Sequence, residues 1–183
     1  MKTNTSAMVI VAFCTAIIAV LAQITIPLPM IPITGQTLAV GLVATILGKK
    51  YGTYSVILYV CLGAIGIPVF QAFTGGLGIV FGPTGGYIIG FIPCALVVGY
   101  YLHWTTFTIP NAIIANLLGM IVTLAFGATW LKILNDLTWS AAITGGVLPF
   151  IPVGIIKAVL AAVIGIVVYK RLTQAKLLQK LVL

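Results

Sequence analysis

The stretch from Gly66 to Tyr87, GIPVFQAFTGGLGIVFGPTGGY, is rich in glycine, contains Pro68 and Pro83, and follows a long apolar run. Glycine and proline at this density end a helix, because glycine costs backbone entropy and proline lacks the N–H that a helix needs. The stretch nevertheless stays apolar and carries no charge. Irregular backbone at membrane depth is tolerated only where it is buried in protein or lines a cavity. The stretch is therefore predicted to form part of the wall of a binding site.

The composition around this stretch is that of an integral membrane protein. The chain has 183 residues, of which 62% are hydrophobic and 5% are charged. A soluble domain carries about 25% charged residues. The nine basic residues are scattered, so they form no stripe that would bind nucleic acid.

Six segments approach the roughly 20 apolar residues that cross a bilayer core of about 30 Å. An all-α protein with six transmembrane helices is therefore predicted. The second segment is short for a full crossing, and ordered flanking loop is expected to complete it. Because no repeat or linker divides the chain, residues 1–183 are expected to form a single membrane-embedded domain. The predicted spans are residues 7–26, 36–47, 53–65, 83–103, 110–134 and 152–171, with a short helix at 137–147.

The basic residues predict the orientation, because Lys and Arg accumulate in short cytoplasmic loops. With an inside N-terminus and six crossings, only Lys132 falls on the outer side. Both termini are therefore predicted to be cytoplasmic in a multi-pass protein of the cell membrane. The loop Pro27–Gly35, residues 66–82 and the Pro149–Pro152 corner then share the outer face as ordered apolar loops, which indicates a pocket with a lid. Seven basic residues fall inside: Lys2, Lys49, Lys50, Lys170, Arg171, Lys176 and Lys180.

Lys157 is the residue most indicative of function. It lies five residues beyond Pro152 in the last span, between apolar runs. An intramembrane lysine costs about 3 kcal/mol on insertion scales and marks a functional site by default. One interpretation is an ion pair with an anionic ligand, most simply a carboxylate, since Asp136 is the chain's only acid. The other is that the side chain reaches the outer headgroups.

Five further residues are predicted substrate contacts. Thr34 and Gln36 end the first outer loop, where they either cap the second helix or bind a ligand with an amide-like or urea-like group. Thr84 and Tyr87 begin the fourth helix among glycines, which allow close approach of either a ligand or another helix. Phe73 belongs to the apolar wall described above.

Several kinds of chemistry are absent from the sequence. It contains no G-x-x-x-x-G-K-[ST] motif for ATP, no H-E-x-x-H motif, no paired carboxylates and no cluster of metal ligands. No acid lies within a predicted span to couple transport to protons. The chain is therefore predicted to bind a solute, to be no enzyme, and to use no cofactor or metal.

The first helix carries Ala12 and Ala16 with small-xxx-small spacing. Such a pair lets two helices approach closely. The contact is predicted to be either internal or toward a partner subunit.

Four stretches, IPLPMIPITGQTLAV, LGAIGIPVF, GGLGIVFGPTGGYIIGF and GVLPFIPVGIIKA, resemble the BioY family. The resemblance extends from about residue 7 to residue 170. BioY proteins are the biotin-binding S components of energy-coupling-factor (ECF) vitamin transporters. The resemblance implies a six-helix protein with an outward-facing biotin site. It also implies a transmembrane coupling subunit and two cytoplasmic ATPases as partners.

The resemblance assigns roles to the candidate residues. Lys157 would meet the carboxylate of biotin, and Gln36, Thr34 or Tyr87 would bind its ureido ring. The Ala-xxx-Ala pair, Ala12 and Ala16, would contact the coupling subunit. One position departs from the family, which often has Asp three residues before the lysine, where this chain has Gly154.

Two other functions remain open from the sequence. The chain could be a stand-alone carrier of the same vitamin, which uptake without the coupling subunit and ATPases would reveal. It could instead be an intramembrane enzyme or a structural subunit. The lack of acid or histidine in the outer half argues against most hydrolytic chemistry, but not against a structural role.

Overall fold

The computed structural model of the protein describes residues 5–28 and 31–177. Within these ranges the chain forms seven α-helices, one 3₁₀ turn and a two-stranded antiparallel hairpin. In chain order the elements are α1 (Thr5–Ala22), β1 (Thr25–Ile26), β2 (Ile33–Thr34), α2 (Gln36–Ala64), the 3₁₀ turn (Gln71–Phe73), α3 (Leu77–Val80), α4 (Gly85–Trp104), α5 (Ile109–Leu134), α6 (Trp139–Gly146) and α7 (Phe150–Gln174).

The predicted all-helical membrane class is confirmed. Among the described helices, α1, α4, α5 and α7 are each long and apolar enough to cross a membrane. The short helix predicted at 137–147 is α6, and the last predicted span is α7, which extends it at both ends.

Helix α2 consists of two antiparallel segments that meet at Gly48. The φ of Gly48 is 68° and its ψ is −168°, a conformation that favours glycine. A Cβ placed at Gly52 would lie only 2.9 Å from the Ala44 Cα, so the chain folds back on itself. The Gln36 amide also donates to the Tyr59 hydroxyl over 2.6 Å, although 23 residues separate them. That separation would span about 35 Å in a straight helix. The segments 36–47 and 49–64 thus correspond to the second and third predicted spans, with an earlier start for the third.

Helix α1 ends at Ala22, four residues before the predicted end. Thr25 pairs with Thr34 and Ile26 with Ile33 in a short hairpin. β-branched residues favour extended backbone, and the prolines that follow cannot continue a helix. The predicted outer loop is therefore partly a β-hairpin. Pro29 and Met30 of this loop lie outside the described residues.

The bundle has two chemically different ends. At one end, called the loop end, the hairpin, residues 65–84 and α6 connect the helices. At the other, called the turn end, the Phe107 and Tyr169 rings stack with centroids 4.2 Å apart, and Lys49 lies over the Tyr100 ring. Apart from Lys157, which lies within α7, the described basic residues divide unequally between the two ends. Lys132 belongs to the loop end, where it lies beside Trp139. The turn end carries Lys49, Lys50, Lys170, Arg171 and Lys176.

Helices α4 and α5 pack closely because glycines face large side chains across their interface. A Cβ at Gly90 of α4 would lie 2.9 Å from the Phe126 Cβ, and one at Gly119 of α5 would lie 2.8 Å from the Cys94 sulfur. The space that these glycines leave is thus filled by the facing helix. This packing holds α4 and α5 at a fixed separation beside the cavity described below.

We expect Gly90→Val to destabilise the protein by about 1–3 kcal/mol, because extra methyl groups in a filled interface force the helices apart. Gly78→Val is the control, since a Cβ at Gly78 meets no atom within 4 Å. Denaturation midpoints in detergent would measure both. Equal midpoints for the two variants would contradict the close α4–α5 packing.

Candidate functional site

A cavity lies between α2, α4, α5 and α7 and reaches the loop end of the bundle. The empty space between its walls is about 890 Å³, a figure that includes the open solvent at its mouth. Its wall is mainly apolar, with a limited number of polar groups. The lining residues are Ile31, Pro32, Thr34, Gln36, Thr37, Gly41, Gln71, Thr84, Tyr87, Ile88, Phe91, Cys94, Asn116, Met120, Thr123, Leu124, Phe150, Val153, Gly154, Lys157 and Ala158.

The cavity wall has a loop side and a deep side. Thr34, Gln71 and Thr84 belong to the loop end. The deep side is formed by four residues, one from each helix, and each is the lining residue of its helix that lies farthest from the loop end. These residues are Gly41 of α2, Cys94 of α4, Asn116 of α5 and Ala158 of α7.

The Lys157 ammonium is directed into the wall of this cavity. Its Nζ donates to the Thr34 carbonyl oxygen over 2.7 Å and to the Thr37 hydroxyl over 3.3 Å. An ammonium has three donors, so one N–H remains for a ligand. Asp136, the chain's only acid, is exposed and is not part of the wall. Among the described residues, the charge therefore has neutral oxygen partners, and an anion in the cavity would satisfy it by a charge-assisted hydrogen bond.

Thr34 and Gln36 form one buried chain of hydrogen bonds at the start of α2. The Thr34 hydroxyl donates to Gln36 Oε1 over 2.8 Å, and Gln36 Nε2 donates to the Tyr59 hydroxyl. Thr34 also accepts from the Gln36 backbone N–H over 3.3 Å. The two predicted roles, helix start and cavity wall, are therefore compatible. The Tyr59 ring is fully buried and packs edge-on against Phe70, with centroids 5.4 Å apart.

Tyr87 connects α4 to α6 across the cavity wall. Its hydroxyl donates to the Gly146 carbonyl oxygen over 2.6 Å. Its ring occupies the space beside Gly127, where any side chain would collide with it. Thr84 lines the cavity just before α4 begins. Because Gly86 packs against Trp130 of α5, the glycine pair after Thr84 serves helix packing.

Phe73 does not line the cavity, unlike the other five predicted contacts. Ala72 and Phe73 both have positive φ values, 53° and 54°. This turn directs the Phe73 side chain outward, where it is 72% exposed. Two residues earlier, Gln71 lines the cavity instead.

Gln23 holds this turn against α1, a role that no sequence pattern indicated. Its Oε1 accepts from the Phe73 backbone N–H over 2.8 Å, and its Nε2 donates to the Phe70 carbonyl oxygen over 3.0 Å. A side chain 50 residues away thus stabilises two consecutive left-handed residues. The sequence analysis also did not identify three polar residues that line the cavity, Gln71, Thr37 and Asn116. A single Gln, Thr or Asn in an apolar run is compatible with many roles.

Ala12 and Ala16 lie on the exposed face of α1. Phe13 beside them is 66% exposed, whereas Cys14 and Ile18 on the opposite face are buried. Within the described part of the chain the pair faces away from the other helices, and its small side chains are accessible to another helix.

Within residues 5–28 and 31–177, no group of three or more His, Cys, Asp or Glu side chains is arranged to hold a metal ion. The polar groups of the cavity instead suit an organic ligand that carries an anionic group and hydrogen-bonding groups.

The chain is similar to known proteins over nearly its whole length. Residues 1–174 match the BioY family. The chain is 39% identical over 172 residues to the biotin transporter BioY2 of Lactococcus lactis subsp. cremoris, covering 94% of each chain. It is 41% identical over 153 residues to the biotin transporter BioY of Thermotoga maritima, covering 83% of this chain and 89% of that one. The structure is also similar to the crystal structure of an S-component for biotin from an ECF-type ABC transporter. The TM-score is 0.84 at 31% identity, covering 93% of this chain and 95% of the other.

Proposed function

Because this chain belongs to the BioY family, we propose that it binds biotin in the cavity between α2, α4, α5 and α7. Its function is biotin transport as the S-component of an ECF-type ABC transporter. It is a substrate-binding component and no enzyme. The observation that carries the site assignment is the Lys157 ammonium, which has one uncommitted donor in an otherwise neutral cavity wall.

The chemistry of biotin matches the distribution of groups in this cavity. Biotin has one carboxylate, a ureido group, a sulfur-containing ring and an alkyl chain. Lys157 would bind the carboxylate. Apolar side chains such as Phe91, Leu124 and Phe150 would contact the ring and chain, where burial of apolar surface contributes about 25 cal/mol per Å². Our candidates for polar contacts with the ligand are Thr34, Gln36, Thr84 and Tyr87.

Gly154 makes Lys157 more dependent on its ligand. The family resemblance predicts an aspartate at this position as a partner for the lysine. Here the space in front of Gly154 is filled by Met120, whose sulfur would lie 2.5 Å from a Cβ at residue 154. A neutral thioether provides no counter-charge, so the ligand carboxylate would be the principal anion near Lys157.

We expect Lys157→Met to lower biotin affinity by roughly ten- to a hundredfold, because a charge-assisted hydrogen bond contributes about 1.5–3 kcal/mol. Biotinamide, whose carboxylate is replaced by a neutral amide, should bind wild type weakly and lose little more in the variant. The two ligands and two proteins form a double-mutant cycle, measurable by titration calorimetry in detergent.

Lys132→Met is the matched control for this cycle. Lys132 also lies at the loop end, but its ammonium lies over the Trp139 ring, outside the cavity. It should leave biotin affinity unchanged. If Lys157→Met weakens biotin and biotinamide equally, the lysine supports the fold and the carboxylate binds elsewhere.

We propose that the loop end faces the outside and that both termini are cytoplasmic. The turn end carries Lys49, Lys50, Lys170, Arg171 and Lys176, and the loop end carries Lys132. Positive residues favour the cytoplasmic side. The same reasoning makes segments 36–47 and 49–64 the second and third of six membrane crossings. The biotin site would then open outward.

Single cysteines in a background without Cys14, Cys61 and Cys94 would test this orientation. In intact cells, Ala72→Cys should react with an impermeant maleimide, because Ala72 is an exposed residue of the loop end. Lys50→Cys at the turn end should react only after the membrane is permeabilised. Labelling of Lys50→Cys from outside would refute the orientation.

We propose that α1 contacts the membrane-embedded coupling subunit of the ECF module, which also includes two cytoplasmic ATPases. The sequence contains neither an ATP-binding loop of its own nor an acid in a span to couple ion movement. Energy for uptake must therefore come from a partner. The exposed pair Ala12 and Ala16 on α1 allows close approach of such a partner helix.

We expect Ala12→Trp or Ala16→Trp to abolish ATP-driven biotin uptake while the purified chain still binds biotin, because the cavity lies away from this face of α1. Phe13→Trp is the control, as it places the same side chain on the exposed surface one residue away. Uptake by cells with and without the coupling subunit and ATPases would be compared. Uptake that persists in cells without the coupling subunit and the ATPases would indicate a stand-alone carrier. If the Ala12→Trp or Ala16→Trp chain loses biotin binding as well as uptake, these residues do more than contact a partner.

A further inference from the structure

Asn116 lies on the deep side of the cavity with both of its amide protons already used. It is 5% exposed, seven residues into α5. Its Nδ2 donates to the Ala112 carbonyl oxygen over 2.8 Å and to the Thr45 hydroxyl over 2.9 Å. The Thr45 hydroxyl in turn donates its proton to the Gly41 carbonyl oxygen, so it acts only as an acceptor toward Asn116. These bonds connect α5 to α2.

The hydrogen bond to Ala112 determines which way the Asn116 amide faces. A backbone carbonyl can only accept hydrogen bonds, so the amide nitrogen must be the atom that faces Ala112. Oδ1 therefore faces the opposite way, toward Gly41. A Cβ at Gly41 would collide with Oδ1, so this oxygen occupies the space that a side chain at residue 41 would fill.

Asn116 Oδ1 accepts no hydrogen bond from the described part of the chain. Every fully enclosed side-chain nitrogen or oxygen in that part has a partner. Oδ1 is thus not enclosed, and since Asn116 lines the cavity, the cavity is what gives access to it. A ligand that fills the cavity without offering an N–H to Oδ1 would leave this acceptor unpaired and bind more weakly, whereas a ligand N–H would avoid that loss.

The other polar side chains considered for the ureido ring each donate a hydrogen bond within the protein. Thr34 donates to Gln36, Gln36 donates to Tyr59, and Tyr87 donates to the Gly146 carbonyl oxygen. Oδ1 of Asn116 is an acceptor only, and both of its lone pairs are available to a ligand N–H. It also lies deeper than Lys157, because Lys157 contacts Thr37 whereas Asn116 contacts Gly41. Four residues of helix separate those two levels by about 6 Å.

We propose that Asn116 is a specificity-determining residue whose Oδ1 accepts a hydrogen bond from a ureido N–H of biotin. The assignment deepens the proposed biotin site and rests on it. With the carboxylate at Lys157 on the loop side, the ring points to the deep side and meets Asn116. A site built to bond a ligand N–H discriminates strongly against an analogue without it, because the buried acceptor is then left unpaired.

The test uses titration calorimetry with biotin and its two mono-N-methylated ureido analogues. Asn116→Leu keeps a similar volume and removes the acceptor, so biotin affinity should fall by about tenfold, which corresponds to about 1.4 kcal/mol. One of the two methylated analogues should bind wild type weakly and lose no more affinity in Asn116→Leu. Thr45→Val is the control, since it removes the helix–helix hydrogen bond but leaves Oδ1 in place, and it should retain wild-type affinity for biotin.

Gly41→Ala provides an independent variant that does not change Asn116. Its methyl group would occupy the space of Oδ1 and should reproduce the loss of biotin affinity. This variant keeps the proposal testable if Asn116→Leu does not fold. The proposal is overturned if Asn116→Leu binds biotin as wild type does, or if it weakens biotin and both methylated analogues equally. Failure of wild type itself to bind biotin would overturn the proposed function, on which the assignment rests.

Discussion

The Lys157 ammonium is the constraint on which the proposed site depends, because it is a cation in an apolar bundle whose sequence contains a single acid. Its hydrogen bond to the Thr34 carbonyl oxygen joins α7 to the strand that leads into α2. Neutral oxygens reduce the cost of burying the charge without cancelling it. This is why we propose that an anion completes the site, a property that suits the capture of an acidic vitamin.

Around this charge, the cavity wall is held by small residues and by hydrogen bonds between distant segments. Gly127 and Gly146 accommodate Tyr87, and Gly90 allows Phe126 to close against α4. Close packing of this kind has little room to relax, so the polar groups keep their positions before a ligand arrives. A preorganised site loses less conformational entropy on binding. The exposed face of α1, which carries Ala12 and Ala16, lies apart from this wall, so the proposed contact with the coupling subunit and the proposed biotin site are on separate surfaces.

The sequence predicted the class of fold and five of the residues that line the cavity, because apolar length and isolated polar residues are local signals. Lys157 was identified because it is a charge within an apolar run, and Gln36 and Tyr87 were identified because they lie at helix starts beside the predicted outer loops. The end of α1 was misplaced because strand pairing of Thr25 with Thr34 depends on a partner nine residues away. Phe73 does not line the cavity, because two consecutive positive φ values, in a turn that Gln23 holds, direct its side chain outward. Its substrate contact stays a prediction. Side-chain direction in an irregular loop is a tertiary property that no periodicity reveals.

The central claim is that this chain alone contains a complete biotin site. Titration calorimetry of biotin into the purified, detergent-solubilised chain, without the coupling subunit or the ATPases, tests it most directly. The account predicts saturable binding of one biotin per chain. A folded chain that binds no biotin alone, and does so only when the partner subunits are added, would show that the site is shared between subunits and would contradict the account.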